Sequence, residues 1–208
     1  MPRLVIFDMA GVLFDESYAK SMKKEIKAML KRNKPLRIDK KDAEWIKLSA
    51  MTKTGKITFR QARLEYLQYL GLKPKLIKEY STIEKKWENR IKLKDRKMLF
   101  YLSRLRKMGI KIAILSNTGY TTKNRNKILR RLGIIKLVDG VFCSSKIGYV
   151  KPDRMAYLAV LDAMNIWSGD AVFVGHDKWE LRGAMRAGIR AVMFRGSIKK
   201  IFTDIIKR

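Results

Sequence analysis

The sequence predicts an α/β protein with a three-layer, open parallel sheet and a second, all-helical domain inserted into that sheet domain. Three observations lead to this prediction. Short apolar runs rich in β-branched residues recur along the chain, and amphipathic helical stretches alternate with the later runs. In addition, one long interval, residues 16–92, shows several helical patterns and no convincing strand. The alternation of strand and helical patterns, together with the helical interval, predicts the fold class.

Five apolar runs predict buried parallel strands. They are "RLVIF" (3–7), "IKIAIL" (110–115), "GVFC" (140–143), "AVFV" (171–174) and "RAVMF" (190–194). Helical stretches are predicted at about 95–108, 121–132, 153–164 and 178–187. Alternation of this kind indicates a Rossmann-like sheet with right-handed crossovers, in which binding sites lie at the carboxyl ends of the strands.

Apolar residues in the interval 16–92 recur at helical spacing and predict a helical bundle. Three sets share a face: Ile26, Met29 and Leu30; Phe59, Ala62, Tyr66, Leu67 and Leu70; and Ile77, Tyr80, Ile83 and Trp87. We therefore expect a helical cap domain over residues 16–92, inserted after the first strand. The α/β core domain is then formed by residues 1–15 and 93–208.

Composition favours a folded, cytoplasmic protein. The chain has 208 residues, 47% of them apolar, which excludes wholesale disorder. No apolar run reaches the ~20 residues that a membrane-spanning helix needs, so no membrane association is expected. The N-terminal segment lacks the layout of a signal peptide, and a single cysteine, Cys143, cannot form an intrachain disulfide.

The chain is strongly basic, with 48 Lys and Arg against 19 Asp and Glu, a net charge of +29. A positive field of this size attracts anions. The charge is spread over the whole chain, and no zinc-finger or RNA-binding signature accompanies it. A small anionic substrate is therefore favoured over nucleic acid as the partner, with nucleic acid kept as an alternative. Both a monomer and a dimer remain open.

Polar residues follow four of the predicted strands. Asp8 ends the first, Ser116 and Asn117 follow the second, Lys151 lies in the loop after the third, and His176 and Asp177 follow the fourth. Because parallel strands end at one edge of the sheet, these side chains are expected to converge on one crevice. A carboxylate, a hydroxyl, an ammonium and a second acid suit phosphoryl transfer through a covalent intermediate.

These segments resemble the motifs of the haloacid dehalogenase superfamily of hydrolases. The resemblance lies in "FDMAGVLFD" (7–15), "ILSNTG" (114–119), "GYVKPD" (148–153) and "VFVGHDKWELRGAMRAGI" (172–189), in the order and at the spacing usual for that family. It implies a core domain of this type, and a cap between the first and second motifs is typical of many members. "GKITFRQ" (55–61) also resembles the cap of the sugar-phosphate phosphatase branch.

The resemblance assigns roles to the first motif. It implies that Asp8 is the nucleophile and a ligand of Mg²⁺, and that the backbone carbonyl of Ala10 binds the same ion. Gly11 would let the backbone approach the substrate without a side chain in the way.

The later motifs supply the rest of the implied site. Ser116, with Asn117 beside it, would contact the phosphoryl group, and Lys151 would neutralise the nucleophile and the phosphoryl oxygens. Asp177 is the preferred further metal ligand, with Glu180 as the second choice.

Two positions depart from the family pattern. Phosphatases of the family usually carry a second aspartate two residues after the nucleophile, as acid and base, and that position is Ala10 here. His176 stands where many members have an aspartate, and it is the single histidine of the chain. An imidazole suits proton transfer near neutral pH, so we hypothesise that His176 partly replaces the missing acid. A histidine that merely orients Asp177 or its loop is the alternative.

The leading interpretation is a Mg²⁺-dependent phosphatase that acts on a small organic phosphate, such as a sugar phosphate. "DMAG" also resembles phosphonoacetaldehyde hydrolases, which form an imine with a cap lysine, and Lys53 and Lys56 are candidates. A metal-independent haloacid dehalogenase is the third option within the fold. A catalytically weak protein that binds nucleic acid or another polyanion is the alternative of another class.

Overall fold

A computed structural model describes residues 1–15, 17–33 and 42–207. Five parallel strands form one sheet in the order β3-β2-β1-β4-β5. Their bounds are β1 Leu4–Asp8, β2 Lys111–Ser116, β3 Gly140–Cys143, β4 Ala171–Gly175 and β5 Arg190–Met193. Each lies within a residue of the predicted run, and the predicted α/β fold class with an open parallel sheet is confirmed.

Helices cover both faces of the sheet and so complete the three layers. They are α5 Met98–Lys107, α6 Thr122–Arg131, α7 Ser144–Ile147, α8 Arg154–Met164, α9 Lys178–Arg186 and α10 Ile198–Ile206. Successive side chains of β1 belong to two apolar cores, one on each face of the sheet. Val5 and Phe7 pack with α5, α6 and α10, whereas Leu4 and Ile6 pack with α8 and α9. Helices α7 and α10 were absent from the prediction.

In the described part of the interval between β1 and α5, four helices are present: α1 Ser17–Asn33, α2 Ala43–Lys53, α3 Phe59–Tyr69 and α4 Pro74–Glu88. The predicted apolar faces pack among themselves, and the buried side chains include Met29, Leu67 and Ile83. Helix α3 begins at a capping box formed by Thr58 and Gln61. These helices bear out the helical character predicted for this interval, while the domain boundaries at residues 15–16 and 92–93 stay a prediction.

Helices α2 and α3 contact the loop that follows β2. The backbone N–H of Phe59, at the start of α3, donates to the carbonyl of Gly119 at 3.3 Å. A Cβ atom at Gly119 would lie 2.6 Å from the Thr52 hydroxyl, so α2 and the loop after β2 are in close contact. None of the described helices is long and apolar enough to cross a membrane.

Helix α9 packs so tightly against the loop after α7 that Gly183 has no room for a side chain. A Cβ atom there would lie 2.5 Å from the Pro152 carbonyl oxygen, which follows Lys151 directly. We expect Gly183→Ala to lower the free energy of unfolding by about 1–2 kcal/mol, because a backbone clash outweighs alanine's gain in helix propensity. Urea denaturation measures this change.

Gly169→Ala is the matched control for that substitution. No atom lies within 4 Å of a Cβ at Gly169, so its effect should stay below about 0.5 kcal/mol. Equal effects of the two substitutions would contradict the packing described between α9 and Pro152.

Candidate active site

Asp8, Lys151 and His176 meet at the carboxyl edge of the sheet. The Lys151 Nζ lies 2.6 Å from Asp8 Oδ1, and His176 Nδ1 lies 3.1 Å from Asp8 Oδ2. The backbone N–H of Met9 also donates to Oδ1, at 2.8 Å. Asp8 and Lys151 are buried, whereas the His176 side chain is 39% exposed. The structure therefore brings together three of the predicted catalytic residues, with the imidazole on the open side.

The surroundings of Asp8 keep its carboxyl group ionised. Burial opposes ionisation, but the Lys151 ammonium and the hydrogen bond from His176 outweigh it and hold the pKa of Asp8 below its usual value of 3.8. A carboxylate that stays ionised at neutral pH, and that also lies at a strand end, is suited to act as a nucleophile.

Asn117 positions Lys151 through the backbone. The Asn117 Nδ2 donates to the Lys151 carbonyl at 2.8 Å, and the Lys151 N–H donates to Asn117 Oδ1 at 2.8 Å. This pair of hydrogen bonds ties the loop after β2 to the loop after α7. Asn117 thus holds the backbone of Lys151 in place, and its contact with substrate stays a prediction.

Glu180 is the second acid of the cluster. Its Oε2 lies 2.8 Å from Lys151 Nζ, so the ammonium bridges Glu180 and Asp8. Burial raises the pKa of Glu180, and the charge on Asp8 adds to that rise against the opposing effect of Lys151. The Tyr157 hydroxyl donates to the Glu180 backbone carbonyl at 2.6 Å and fixes the start of α9.

Ser116 and Gly11 flank the same cluster. Asp8 pairs in register with Leu115, so Ser116 lies one residue beyond it at the end of β2, where it is buried. Gly11 has a φ of +75°, and a Cβ atom there would lie 2.8–3.0 Å from three atoms of the His176 ring. The expected role of Gly11 was room for substrate, whereas in the structure the space is taken by the imidazole.

Asp177 occupies a different position from Glu180. Its Oδ1 accepts a hydrogen bond from the Trp179 N–H at 2.6 Å, which makes Asp177 the N-cap of α9. None of the described contacts connects the Asp177 side chain with Asp8. Its assignment as a metal ligand, like that of Ala10, stays a prediction.

A second cluster, which was not predicted from the sequence, lies where α3 and α4 meet the loop after β2. Arg63 forms an ion pair with Glu84, and its guanidinium lies 4.5 Å from the centre of the Phe59 ring. The Phe59 and Tyr120 rings are 4.6 Å apart, and Arg63 reaches the Tyr120 hydroxyl at 3.5 Å. The sequence carries no motif for this cluster, because its members lie far apart along the chain.

Comparison with known proteins identifies the class of enzyme. A family model described as haloacid dehalogenase-like hydrolase matches residues 2–188. The chain therefore belongs to the haloacid dehalogenase-like hydrolases and is an enzyme, as the resemblance implied.

One curated relative and several solved structures are similar to parts or all of the chain. "Phosphatase MT3486" of Mycobacterium tuberculosis is 32% identical over 92 residues, which are 44% of this chain and 42% of that protein. The chain thus matches less than half the length of this relative.

Among solved structures, the enzyme bt-2542 of Bacteroides thetaiotaomicron has a TM-score of 0.72 at 16% identity, with 97% of this chain and 98% of that chain covered. A 2-haloacid dehalogenase from Pseudomonas syringae pv. Tomato DC3000 has a TM-score of 0.68 at 18% identity, over 93% and 86% of the chains. At these identities the likeness shows the fold.

Hydrolases of this family generally use a divalent metal ion, but the side chains of this site do not fit one. Both oxygens of Asp8 face nitrogen atoms, Lys151 separates Asp8 from Glu180, and Asp177 caps α9. Within the described residues, no three His, Cys, Asp or Glu side chains are grouped so as to hold a metal ion. Mg²⁺ requires an oxygen shell, which these donors do not form.

Proposed function

We propose that the protein is a phosphatase that hydrolyses a small organic phosphate, such as a sugar phosphate, through an aspartyl-phosphate on Asp8. The contact between the ionised Asp8 carboxylate and the buried Lys151 ammonium carries this proposal, since a carboxylate suited to act as a nucleophile and a cation suited to bind a phosphoryl group lie 2.6 Å apart. The similarity to a curated phosphatase supports it.

The proposed reaction has two steps. An oxygen of Asp8 attacks phosphorus, forms an acyl phosphate and breaks the bond to the leaving-group oxygen, which takes up a proton. Water then attacks phosphorus, loses a proton and releases inorganic phosphate, so that the Asp8 carboxylate is restored. Lys151, with the Ser116 hydroxyl at the neighbouring strand end, stabilises the charge that spreads over the phosphoryl oxygens.

We propose that His176 transfers a proton to the leaving group, because Ala10, at the position of the usual acid, has no titratable group. Its Nδ1 faces Asp8 at 3.1 Å, so proton transfer to the leaving group would use Nε2 on the other side of the ring. No step is derived through Mg²⁺, because the side chains of the site do not fit it.

We expect His176→Asn to lower kcat by about 10²-fold for an alkyl phosphate, whose leaving group needs a proton. The loss should be much smaller for p-nitrophenyl phosphate, whose leaving group needs little protonation. Steady-state kinetics on both esters measures this difference. An equal loss on both substrates would show that His176 only positions Asp8 or its loop.

The cap is proposed to select the substrate. Its helices contact the loop after β2, which carries Asn117 and follows Ser116 directly, and the cluster around Arg63 and Tyr120 lies at this contact. Side chains on closing domains commonly set specificity in enzymes whose site lies between two domains.

Hydrolytic dehalogenation of a 2-haloacid is a second candidate. The observation that favours it is the site itself: Asp8 is held by Lys151 and His176 without a grouped set of metal ligands among the described residues. The phosphonoacetaldehyde-type reaction instead requires an imine-forming cap lysine, and both candidates, Lys53 and Lys56, are exposed.

A substrate panel separates these functions. Phosphate esters, phosphonoacetaldehyde and 2-haloacids are assayed with the wild type and with Asp8→Asn, in the presence of Mg²⁺ and in the presence of a chelator. We expect turnover of a phosphate ester that Asp8→Asn abolishes. Halide release without phosphate release would replace the proposal by dehalogenation, and imine trapping by borohydride would replace it by carbon–phosphorus cleavage.

A further inference from the structure

We infer that His176 occupies the side of the Asp8 carboxylate at which a divalent cation would have to bind. Donors of the protein, rather than a resident metal ion, then complete the surroundings of the nucleophile. The inference concerns the site of the proposed function and explains the misfit of Mg²⁺ to it.

The first step is the occupancy of the two Asp8 oxygens. Oδ1 accepts from the Met9 N–H at 2.8 Å and lies 2.6 Å from the Lys151 ammonium, so a cation there would meet like charge. Oδ2 is the remaining approach, and His176 Nδ1 stands 3.1 Å from it. A metal ion that used Oδ2 would have to displace the imidazole.

The second step is that the fold holds this imidazole in place. The ring lies against Gly11, where a Cβ would come within 2.8–3.0 Å of it, so the absence of a side chain at Gly11 allows this close approach. Gly11 directly follows Ala10, so the ring also stands beside the turn that carries the predicted carbonyl ligand. In the chain, His176 lies directly between the last residue of β4, Gly175, and the N-cap of α9, Asp177.

The third step is that the other acids are engaged elsewhere. Glu180 lies 2.8 Å from the Lys151 ammonium, and Asp177 accepts the N–H of Trp179 at 2.6 Å. One carboxylate alone is a weak site for Mg²⁺, which keeps much of its water shell and usually gains further oxygens from substrate phosphates. The wild type is therefore expected to bind Mg²⁺ weakly in the absence of substrate.

Cation binding without substrate tests this inference independently of any activity. Mg²⁺ alone is titrated calorimetrically into the wild type, His176→Asp and the uncharged control His176→Asn, and Mn²⁺ is followed by electron paramagnetic resonance. His176→Asp removes the imidazole and adds a carboxylate at the same place, so we expect its affinity for both ions to exceed that of the other two proteins by about tenfold or more. Asp8→Asn in the His176→Asp background should abolish the gain.

Two results would overturn the inference. One is a wild type that binds Mg²⁺ as tightly as His176→Asp, and the other is a His176→Asp variant that binds no more tightly than His176→Asn. Thermal melting confirms that each variant is folded, and His176→Glu carries the test if His176→Asp is not. Since no substrate is present, a failure of the phosphatase proposal would leave the outcome unchanged and would appear instead in the substrate panel.

Discussion

Asp8→Asn is expected to reduce kcat by about 10⁴-fold or more, because asparagine has nearly the same size but cannot form an acyl phosphate. Asp8, the proposed nucleophile, stays ionised into the acidic range, because Lys151 and His176 hold its pKa below 3.8 against the opposing effect of burial. If kcat/KM declines as the pH is lowered from 7 to about 5, protonation of Asp8 should therefore not be the cause. Steady-state kinetics as a function of pH measures both expectations.

Asp162→Asn is the matched control, because Asp162 is exposed on α8. It should leave kcat and KM unchanged. A protein whose function was the binding of polyanions would be indifferent to Asp8→Asn, and retained turnover in that variant would remove Asp8 from the reaction.

The second large effect is expected at Lys151. Lys151→Met keeps the length and the apolar stem of the side chain but leaves Asp8 and Glu180 without the ammonium that bridges them. The Lys151 side chain is fully buried, so we expect a loss of about 3–5 kcal/mol in the free energy of unfolding and a severe loss of turnover. Urea denaturation at neutral pH measures the stability change.

The pH dependence distinguishes a charge effect from poor packing. Without Lys151, both carboxyl groups should have raised pKa values, because two buried acids then face each other uncompensated. Protons bound in the folded state relieve that repulsion, so the stability deficit of Lys151→Met should shrink between pH 7 and about pH 5. Lys146→Met, at an exposed position in α7, should change neither stability nor turnover. A pH-independent deficit at Lys151 would point to packing alone.

The fold was predictable because its strands are buried on both faces. A strand such as β1 has no polar alternation, and a run such as "LVIF" followed by an acid leaves little choice of structure. Helix α10 escaped prediction although its apolar face packs on the sheet, because it follows the last strand and no further strand marks its end. The domain boundaries at residues 15–16 and 92–93 rest only on the change between strand and helical patterns in the sequence, so they stay predictions.

Only one feature of the candidate site was predictable from the sequence, namely that residues at the ends of several strands lie close together. Sheet topology brings Asp8, Ser116 and Lys151 to one edge, and this follows from the order of strands and loops. Which acid faces Lys151 depends on the first turn of α9: Asp177 is used as its N-cap, whereas Glu180, three residues later, lies against the ammonium. Both residue types suit either position, so the sequence left the choice between them open.

Contacts between residues far apart in the sequence could not be predicted from local patterns. The imidazole of His176 rests on Gly11, 165 positions away in the numbering, and Tyr157 supports the backbone of Glu180. A glycine three residues after Asp8 is compatible with room for a ligand and with room for a neighbouring side chain; the His176 ring lies against Gly11, and the contact of Gly11 with substrate stays a prediction. This contact links the departure at His176 to the misfit of a metal ion at Asp8.

Chemical trapping of the intermediate tests the central proposal most directly. The enzyme is mixed with a radiolabelled phosphate ester from the substrate panel, quenched in acid, and treated with borohydride, which reduces an acyl phosphate at an aspartate to homoserine. The proposal predicts labelled enzyme before reduction and homoserine at position 8 in the peptide that contains "LVIFD" afterwards. Turnover with no label on the protein, or with the label on any residue other than Asp8, would contradict it.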